Sequence, residues 1–406
     1  MNRVTLLAVL ALVAAACGVA STATETSTTE PASAPTTAPA TPTTADPESF
    51  ELPPALAGVT GAWLTDFTIA TIDLDELKVG IPASDPRDLI RPIDEPRFEP
   101  VADSSWLADR EPGAFVEVDG VAKFYPLSIL TRHEIVNDTF ADRPIAVTFC
   151  PLCNTALAFD PVVDGRTLRF GVSGLLRKSD LVMWDDVTQS LWQQITGEAI
   201  VGTMAGRRLS PVSTAIVSWG DFAANNPDGL VMSEDQGFGI PYGANPYVGY
   251  SRQGAPYRPF FDEDVDPRYP AMERVVGVNV DGAQKAYPFS LLAEARVVND
   301  VVGDTPIVVF WGAPDTADAL DAGSIRDSQA IGTGIAFLAT VEGRTLTFEA
   351  LDGDRWRDAE TGTTWTLLGV AVDGPLTGSR LQIASHRNEF WFAWQGFFPD
   401  APVWEG

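Results

Sequence analysis

The sequence predicts a mainly β protein with a few short helices, an α+β chain built as two tandem duplicated β-rich modules. The first observation behind this is a repeat. Tyr125-Pro-Leu-Ser-Ile-Leu-Thr-Arg-His-Glu-Ile-Val-Asn-Asp138 is echoed by Tyr287-Pro-Phe-Ser-Leu-Leu-Ala-Glu-Ala-Arg-Val-Val-Asn-Asp300, and between 125–148 and 287–310 11 of 24 ungapped positions are identical. Such self-similarity marks an internal duplication. The second is the run of short β-branched and aromatic segments at Ala146–Phe149, Ala156–Phe159, Thr167–Val172 and Leu181–Trp184, broken by Gly, Asp and Asn, which reads as strands and turns. The third is a single helical stretch in each copy. Pro126 suits a first helical position, where its missing N–H costs nothing. Pro126, Ile129, Leu130 and His133 then fall on one face, and Asn137-Asp138 is expected to end the helix.

In chain order, residues 1–17 read as a lipoprotein signal peptide. Arg3 supplies the positive start, Val4 to Ala16 an apolar run too short to span a bilayer, and Cys17 follows small residues as in a lipobox. Ala14 stands where a lipobox usually has Leu, and simple secretion is the other reading. Residues 18–48, mostly Thr, Ser, Pro and Ala, form a tether that could reach about 90 Å from a membrane at about 3.1 Å per residue. Residues 49–112 are an irregular leader packing on module one, with Trp106-Leu107 as its plug. Module one runs over 113–236, a Tyr/Pro/Gly-rich connector over 237–272, and module two, a degenerate copy, over 273–402. The match between modules extends to Gly165-Arg-Thr-Leu168 with Gly343-Arg-Thr-Leu346, Trp184 with Trp356, Gly206–Leu209 with Gly378–Leu381, and Trp219–Pro227 with Trp394–Pro399.

Asp and Glu number 55 against 27 Lys and Arg, a formal charge of −28. So acidic a chain repels phosphate backbones, which excludes nucleic acid as an expected partner. The sequence holds 3 cysteines. With Cys17 lipidated or removed, Cys150 and Cys153 remain alone in an oxidising compartment.

The duplication tests function within one chain: what both copies keep serves the fold, and what one copy alone has marks a site. Tyr125, Pro126, Ser128, Asn137, Asp138 and Trp184 recur and are expected to be structural. His133, Cys150 and Cys153 do not; ungapped extension sets Ala295, Gly312 and Asp315 opposite them. Module one also carries an insert, Gly171-Val-Ser-Gly-Leu-Leu-Arg-Lys-Ser-Asp180, which brings Ser173, Arg177, Lys178, Ser179 and Asp180 forward as binding candidates beside Arg132. An ordinary surface loop is the alternative for the insert, and an ordinary core position for His133. Cys-Pro-Leu-Cys at a strand end suits three uses. A redox pair needs a thiol of lowered pKa, which His133, Arg132 or Arg177 would provide if close. A metal site would join Cys150, Cys153 and His133 on Cu(I) or Zn²⁺, with no fourth ligand identifiable. A structural disulfide would close only a tiny loop and add little stability.

The run at 125–138, Thr148-Phe-Cys-Pro-Leu-Cys153, Phe170-Gly-Val-Ser-Gly-Leu-Leu176, Ser179–Met183, Ser190-Leu-Trp192 and Pro241-Tyr-Gly-Ala-Asn-Pro-Tyr247 resemble the bacterial family called domain of unknown function 3179, over about residues 80–400. Arg177-Lys178 departs from that pattern, in which Tyr-Asn is expected. Some members are described as selenoprotein candidates, and the resemblance therefore implies redox use of the Cys pair. The expectation is an extracytoplasmic, lipid-anchored protein of the bacterial cell membrane with a thiol/disulfide couple at Cys150-Cys153. It requires no cofactor and works on a thiol-containing protein or small molecule. A Cys₂His copper or zinc protein, and a non-catalytic surface interaction module with a structural disulfide, are the alternatives.

Overall fold

Asp119-Gly120 and Asp281-Gly282 occupy the same place in the two copies, and all four residues have positive φ, between 50° and 82°. That is the geometry of a two-residue hairpin turn, which Asp-Gly adopts with little strain. Each turn joins an antiparallel pair: Pro112–Val118 with Val121–Pro126, and Arg274–Val280 with Ala283–Pro288. The computed structural model describes residues 40–46 and 48–406. The signal segment with Cys17 and most of the tether lie outside the described residues. Among the described residues no helix is long and apolar enough to cross a membrane.

The short helices Leu127–His133 and Phe289–Ala295 follow these hairpins. They start one step later and end sooner than the sequence suggests. Tyr125-Pro126 still belongs to the strand, with Pro126 opposite Gly113 as its last residue, so the proline caps the helix from outside. Glu134 and Arg296, with φ of 58° and 60°, stop the helices. Asn137-Asp138 is therefore no helix cap; it lies inside the next strand, Ile135–Phe140. Its recurrence has a strand-level reason. The Asn137 amide donates to the Phe170 carbonyl and accepts from the Phe170 N–H, and Asn299 does the same with Phe348. Each asparagine thus sews the second sheet of its copy to the third.

The second sheet of module one runs Ile135–Phe140, Arg143–Cys150, Thr155–Asp160, Ser210–Val212; in module two it is Val297–Val302, Thr305–Gly312, Thr333–Leu338. The third sheet holds Phe170–Arg177, Asp180–Asp185, Leu191–Gln193 and Glu198–Val201 in one copy. Its equivalents are Phe348–Ala350, Arg355–Asp358, Thr364–Thr366 and Ala371–Asp373. Register here corrects the sequence alignment. Phe170 pairs with Asp185, and Phe348 with Asp358. Both aspartates accept from a Thr hydroxyl three residues on and a Trp indole seven residues on, Trp192 or Trp365. Trp356 thus stands opposite Met183, and Trp184 opposite Arg357. A one-residue slip was invisible because both neighbourhoods offer a tryptophan. The chain then returns to the first sheet: Thr214–Ser218 pairs with Pro112–Val118, and His386–Phe390 with Arg274–Val280. The helices Trp219–Asn225 and Trp391–Phe397 follow directly, so Trp219 matches Trp391, not Trp394.

The two copies interlock rather than sit apart. One core cluster joins Phe115, Phe124 and Trp219 to Phe310, Phe337 and Trp356; another joins Tyr125, Phe149 and Cys153 to Phe390 and Phe392. The leader is more ordered than its composition suggests. A helix at Pro54–Thr60 and the strand Leu77–Val79 put Leu56, Trp63, Phe67 and Leu77 over Leu175, Val182 and Ile200. Leu107 is buried in the same core cluster as Phe115.

Candidate functional site

The strand Arg143–Cys150 ends by turning on Pro151-Leu152-Cys153-Asn154. The Asn154 N–H bonds the Pro151 carbonyl at 3.2 Å, and Asn154 takes a φ of 57° to rejoin the ladder, where Cys150 pairs with Thr155. Asn tolerates the left-handed conformation that Asn154 adopts. Both cysteines are free and buried. Cys153 is wholly enclosed: its carbonyl accepts from the Phe390 N–H of module two at 3.0 Å, and the Leu152 carbonyl accepts from the Tyr250 hydroxyl at 2.9 Å. Cys150 has another neighbour. With Glu134 it borders a cavity of about 200 Å³, walled by Ile81, Ile90, Leu175, Leu176 and Phe260 and by the connector tyrosines Tyr247 and Tyr257.

The insert builds one wall of this cavity. A bulge between Val172 and Leu175 kinks the long strand, with Gly174 at φ 77° pressed so close to Pro86 that a Cβ would lie 2.5 Å from its side chain. The hairpin then turns on Lys178-Ser179, both at positive φ, held by the Ser179 N–H on the Phe260 carbonyl. This delivers Asp180 to the cysteines. The two Sγ atoms and a carboxylate oxygen of Asp180 lie within 4.8 Å of one another. Asp180 Oδ2 accepts from Gln193 Nε2 at 2.6 Å and the Ile195 N–H at 2.9 Å, while the buried Oδ1 has no hydrogen-bond partner. The Cys150 Sγ–H points at the Ser179 carbonyl, 3.6 Å away.

Of the sequence candidates, Cys150, Cys153, Ser179 and Asp180 come together. The others do not. His133 lies on the buried helix face, but its Nδ1 is 2.6 Å from the Arg91 carbonyl and its Nε2 2.7 Å from the Tyr242 hydroxyl. A carbonyl only accepts, so Nδ1 carries the proton and Nε2 receives the tyrosine's. No ring nitrogen is left for a sulfur or a metal, and the Cys₂His set becomes Cys₂Asp. Arg132 reaches the Ala244 carbonyl. Arg177 pairs with Glu76, and Lys178 with Glu263 and the Gly396 carbonyl. The Ser173 hydroxyl donates to the Val182 carbonyl inside the bulge. The opposite number of Cys153 is also revised: Ala313–Gly332 leaves the sheet where module one has its tight turn, so Asp315 lies on an excursion and no residue corresponds to Cys153.

Electrostatically the site is the reverse of the expected one. Burial pushes both thiols up, and Asp180 nearby adds to it. Burial lifts Asp180 to about 6, against its bonds from Ile195 and Gln193, and lifts Glu134 to about 8, against a bond from Tyr247. Glu389, paired at 2.8 Å with Arg387, rises by burial to about 7. Burial pulls His133 down, against its bond to the Arg91 carbonyl. The thiols thus sit among acids, and among the described residues no cation lines the cavity.

Glu134 and the connector tyrosines were missed by sequence reasoning. The one-copy rule could have found Glu134, since its counterpart is Arg296, a reversal of charge. Nothing in the connector's composition indicated that it closes a site.

A family model described as "Protein of unknown function (DUF3179)" matches residues 87–401, and the chain belongs to that family. No curated protein and no solved structure matches it.

Proposed function

We propose that this family member is a thiol–disulfide redox protein in which Cys150 is the reacting sulfur and Cys153 resolves. The observation carrying this reading is their unequal access: Cys150 borders the cavity beside Glu134, and Cys153 is enclosed behind it. Reduction of a disulfide R–S–S–R would begin with Cys150 passing its proton to the Glu134 carboxylate and attacking one sulfur. The S–S bond breaks, and the departing RS⁻ takes the proton from Glu134. Cys153 then attacks the Cys150 sulfur of the mixed disulfide and gives its proton to the second RS⁻. Two electrons pass to the substrate, two RSH leave, and Cys150–Cys153 remains as a disulfide. Burial pushes both thiols up and lifts Glu134 to about 8, so the base form of Glu134 grows and the first step quickens as pH rises toward 8.

The test is a redox titration of the folded protein with mass analysis. A two-electron couple is expected, and Cys153→Ser should accumulate a mixed disulfide on Cys150 while Cys150→Ser accumulates none on Cys153. A pair that neither oxidises nor alkylates without denaturant would return both cysteines to a structural role.

A second reading has one specific support, the unpartnered Asp180 Oδ1 beside two sulfurs. Two thiolates and a carboxylate suit zinc or copper. Metal analysis of protein purified under reducing conditions separates the readings: about one equivalent lost in Asp180→Asn supports the metal. For location we propose an extracytoplasmic protein anchored through Cys17. The basic start, short apolar run and small residues before that cysteine support it, and Cys17→Ser should release the protein from membranes or leave it unprocessed.

A further inference from the structure

The cavity in front of Cys150 differs from its surroundings. The chain is strongly acidic, yet the cavity wall is built from Ile81, Ile90, Val172, Leu175, Leu176 and Phe260, and the ionisable groups on it besides Cys150 are Glu134 and two tyrosines. Among the described residues no Lys, Arg or His lines it. The basic residues of the insert, Arg177 and Lys178, are committed to Glu76 and Glu263 and pack on Phe397. At about 200 Å³ the space somewhat exceeds the ~150 Å³ apolar cavity that takes up benzene. It admits a ligand of several heavy atoms.

We infer that the substrate of this site is a small uncharged disulfide with apolar substituents, bound against the Leu175–Leu176 wall with one sulfur against Cys150. The inference rests on the redox reading and adds the substrate class. An anionic disulfide would bring a carboxylate into an apolar space beside Glu134 and Asp180 with no cation to receive it, and burying an unpaired charge costs far more than the ~1.4 kcal/mol that makes a tenfold rate difference. A cationic disulfide is drawn to the acidic surface but must shed its water against the same apolar wall, and its attraction fades with salt.

Diethyl disulfide, dithiodiglycolate and cystamine share a short dialkyl frame and differ in charge. Oxidation of the reduced full-length protein by each would be followed by loss of free thiol, with every rate divided by that of the same disulfide with dithiothreitol. Diethyl disulfide should lead dithiodiglycolate by about tenfold or more, and cystamine should fall behind it as salt is raised. Leu176→Lys places a cation on the half-buried rim, where a long side chain can keep its head in water, and should narrow the gap for dithiodiglycolate. Equal normalised rates for the three would overturn the substrate class and leave the redox reading standing. Failure of all three to oxidise the pair would overturn both.

Discussion

Cys150 and Gly312 end the same strand of the two copies, and the space beyond them has been used in opposite ways. In module two the indole of Trp356 fills it, stacked on Phe310 with ring centroids 4.5 Å apart, and a Cβ on Gly312 would lie 2.9 Å from that indole. In module one the position of Trp356 holds Met183, that of Phe310 holds Thr148, and the long insert hairpin stands away to leave a cavity. The helix-stopping residue follows the same division. Arg296 lies over Trp356 and bonds the Leu351 carbonyl, whereas Glu134 borders the cavity. One ladder supports a packed core or a site, and the choice rests on a few side chains at its end. Module two could not hold the thiol pair without losing its indole.

This contrast can be broken from either side. Removing the filler should have the largest effect: Trp356→Ala deletes the stack and the indole's 3.1 Å bond to the Arg296 carbonyl and should lower stability by about 3–5 kcal/mol, read by denaturant unfolding, with Cys150 reactivity retained. Comparable loss is expected from Lys123→Met. Lys123 holds Asp138 at 2.7 Å, both side chains under 10% exposed, and stranding a buried carboxylate costs about 3–5 kcal/mol. Gly312→Cys asks the second copy to imitate the first. Its Cβ would meet Asp354 and Trp356 at 2.7 and 2.9 Å, so overpacking should cost about 1–3 kcal/mol with no new accessible thiol by alkylation. A stable variant whose new thiol is reactive would show that the indole does not define the difference.

Much of the fold was legible because it lives in local signals. Breaks at Gly, Asp and Asn, alternating apolar runs and the repeat are read directly along the chain. The errors arose where a residue acts at a distance. Asn137 resembles a helix cap in sequence, but its partner is Phe170, reached only across two sheets. His133 differs between copies as a site residue should, yet its partners, Arg91 and Tyr242, come from the leader and the connector. Asp180 was legible as part of an insert unique to module one. Its approach to the sulfurs depends on a bulge and a positive-φ turn that no spacing rule encodes. Tyr247 and Tyr257 lie in a Pro- and Gly-rich stretch that reads as linker, and only the folded chain lays it across the cavity.

The triad of lysine, tyrosine and aspartate offers the finest test, because both copies keep it at different depths. Lys285 pairs with Asp300 at 2.8 Å and the Tyr287 hydroxyl donates to the same carboxylate at 2.9 Å, but these lysine and aspartate side chains are 23% and 21% exposed. Water shares in solvating them, so Lys285→Met should cost no more than about 1 kcal/mol at neutral pH. The pH dependence fixes the cause. Burial pushes Asp300 up, yet the bonds from Lys285, the Val301 N–H and Tyr287 outweigh it and hold the carboxyl below its ordinary 3.8. A depressed pKa gives stability that is present above the unfolded value and lost as pH falls through the folded one. The gap between wild type and Lys285→Met should therefore be constant above about pH 5 and close below 3.8 as Asp300 takes its proton, and added salt should shrink it at neutral pH. A gap that persists undiminished at low pH and high salt would mean that Lys285 acts through its aliphatic stem packed on Tyr287, and the two copies would then differ in packing rather than in the depth of a charge.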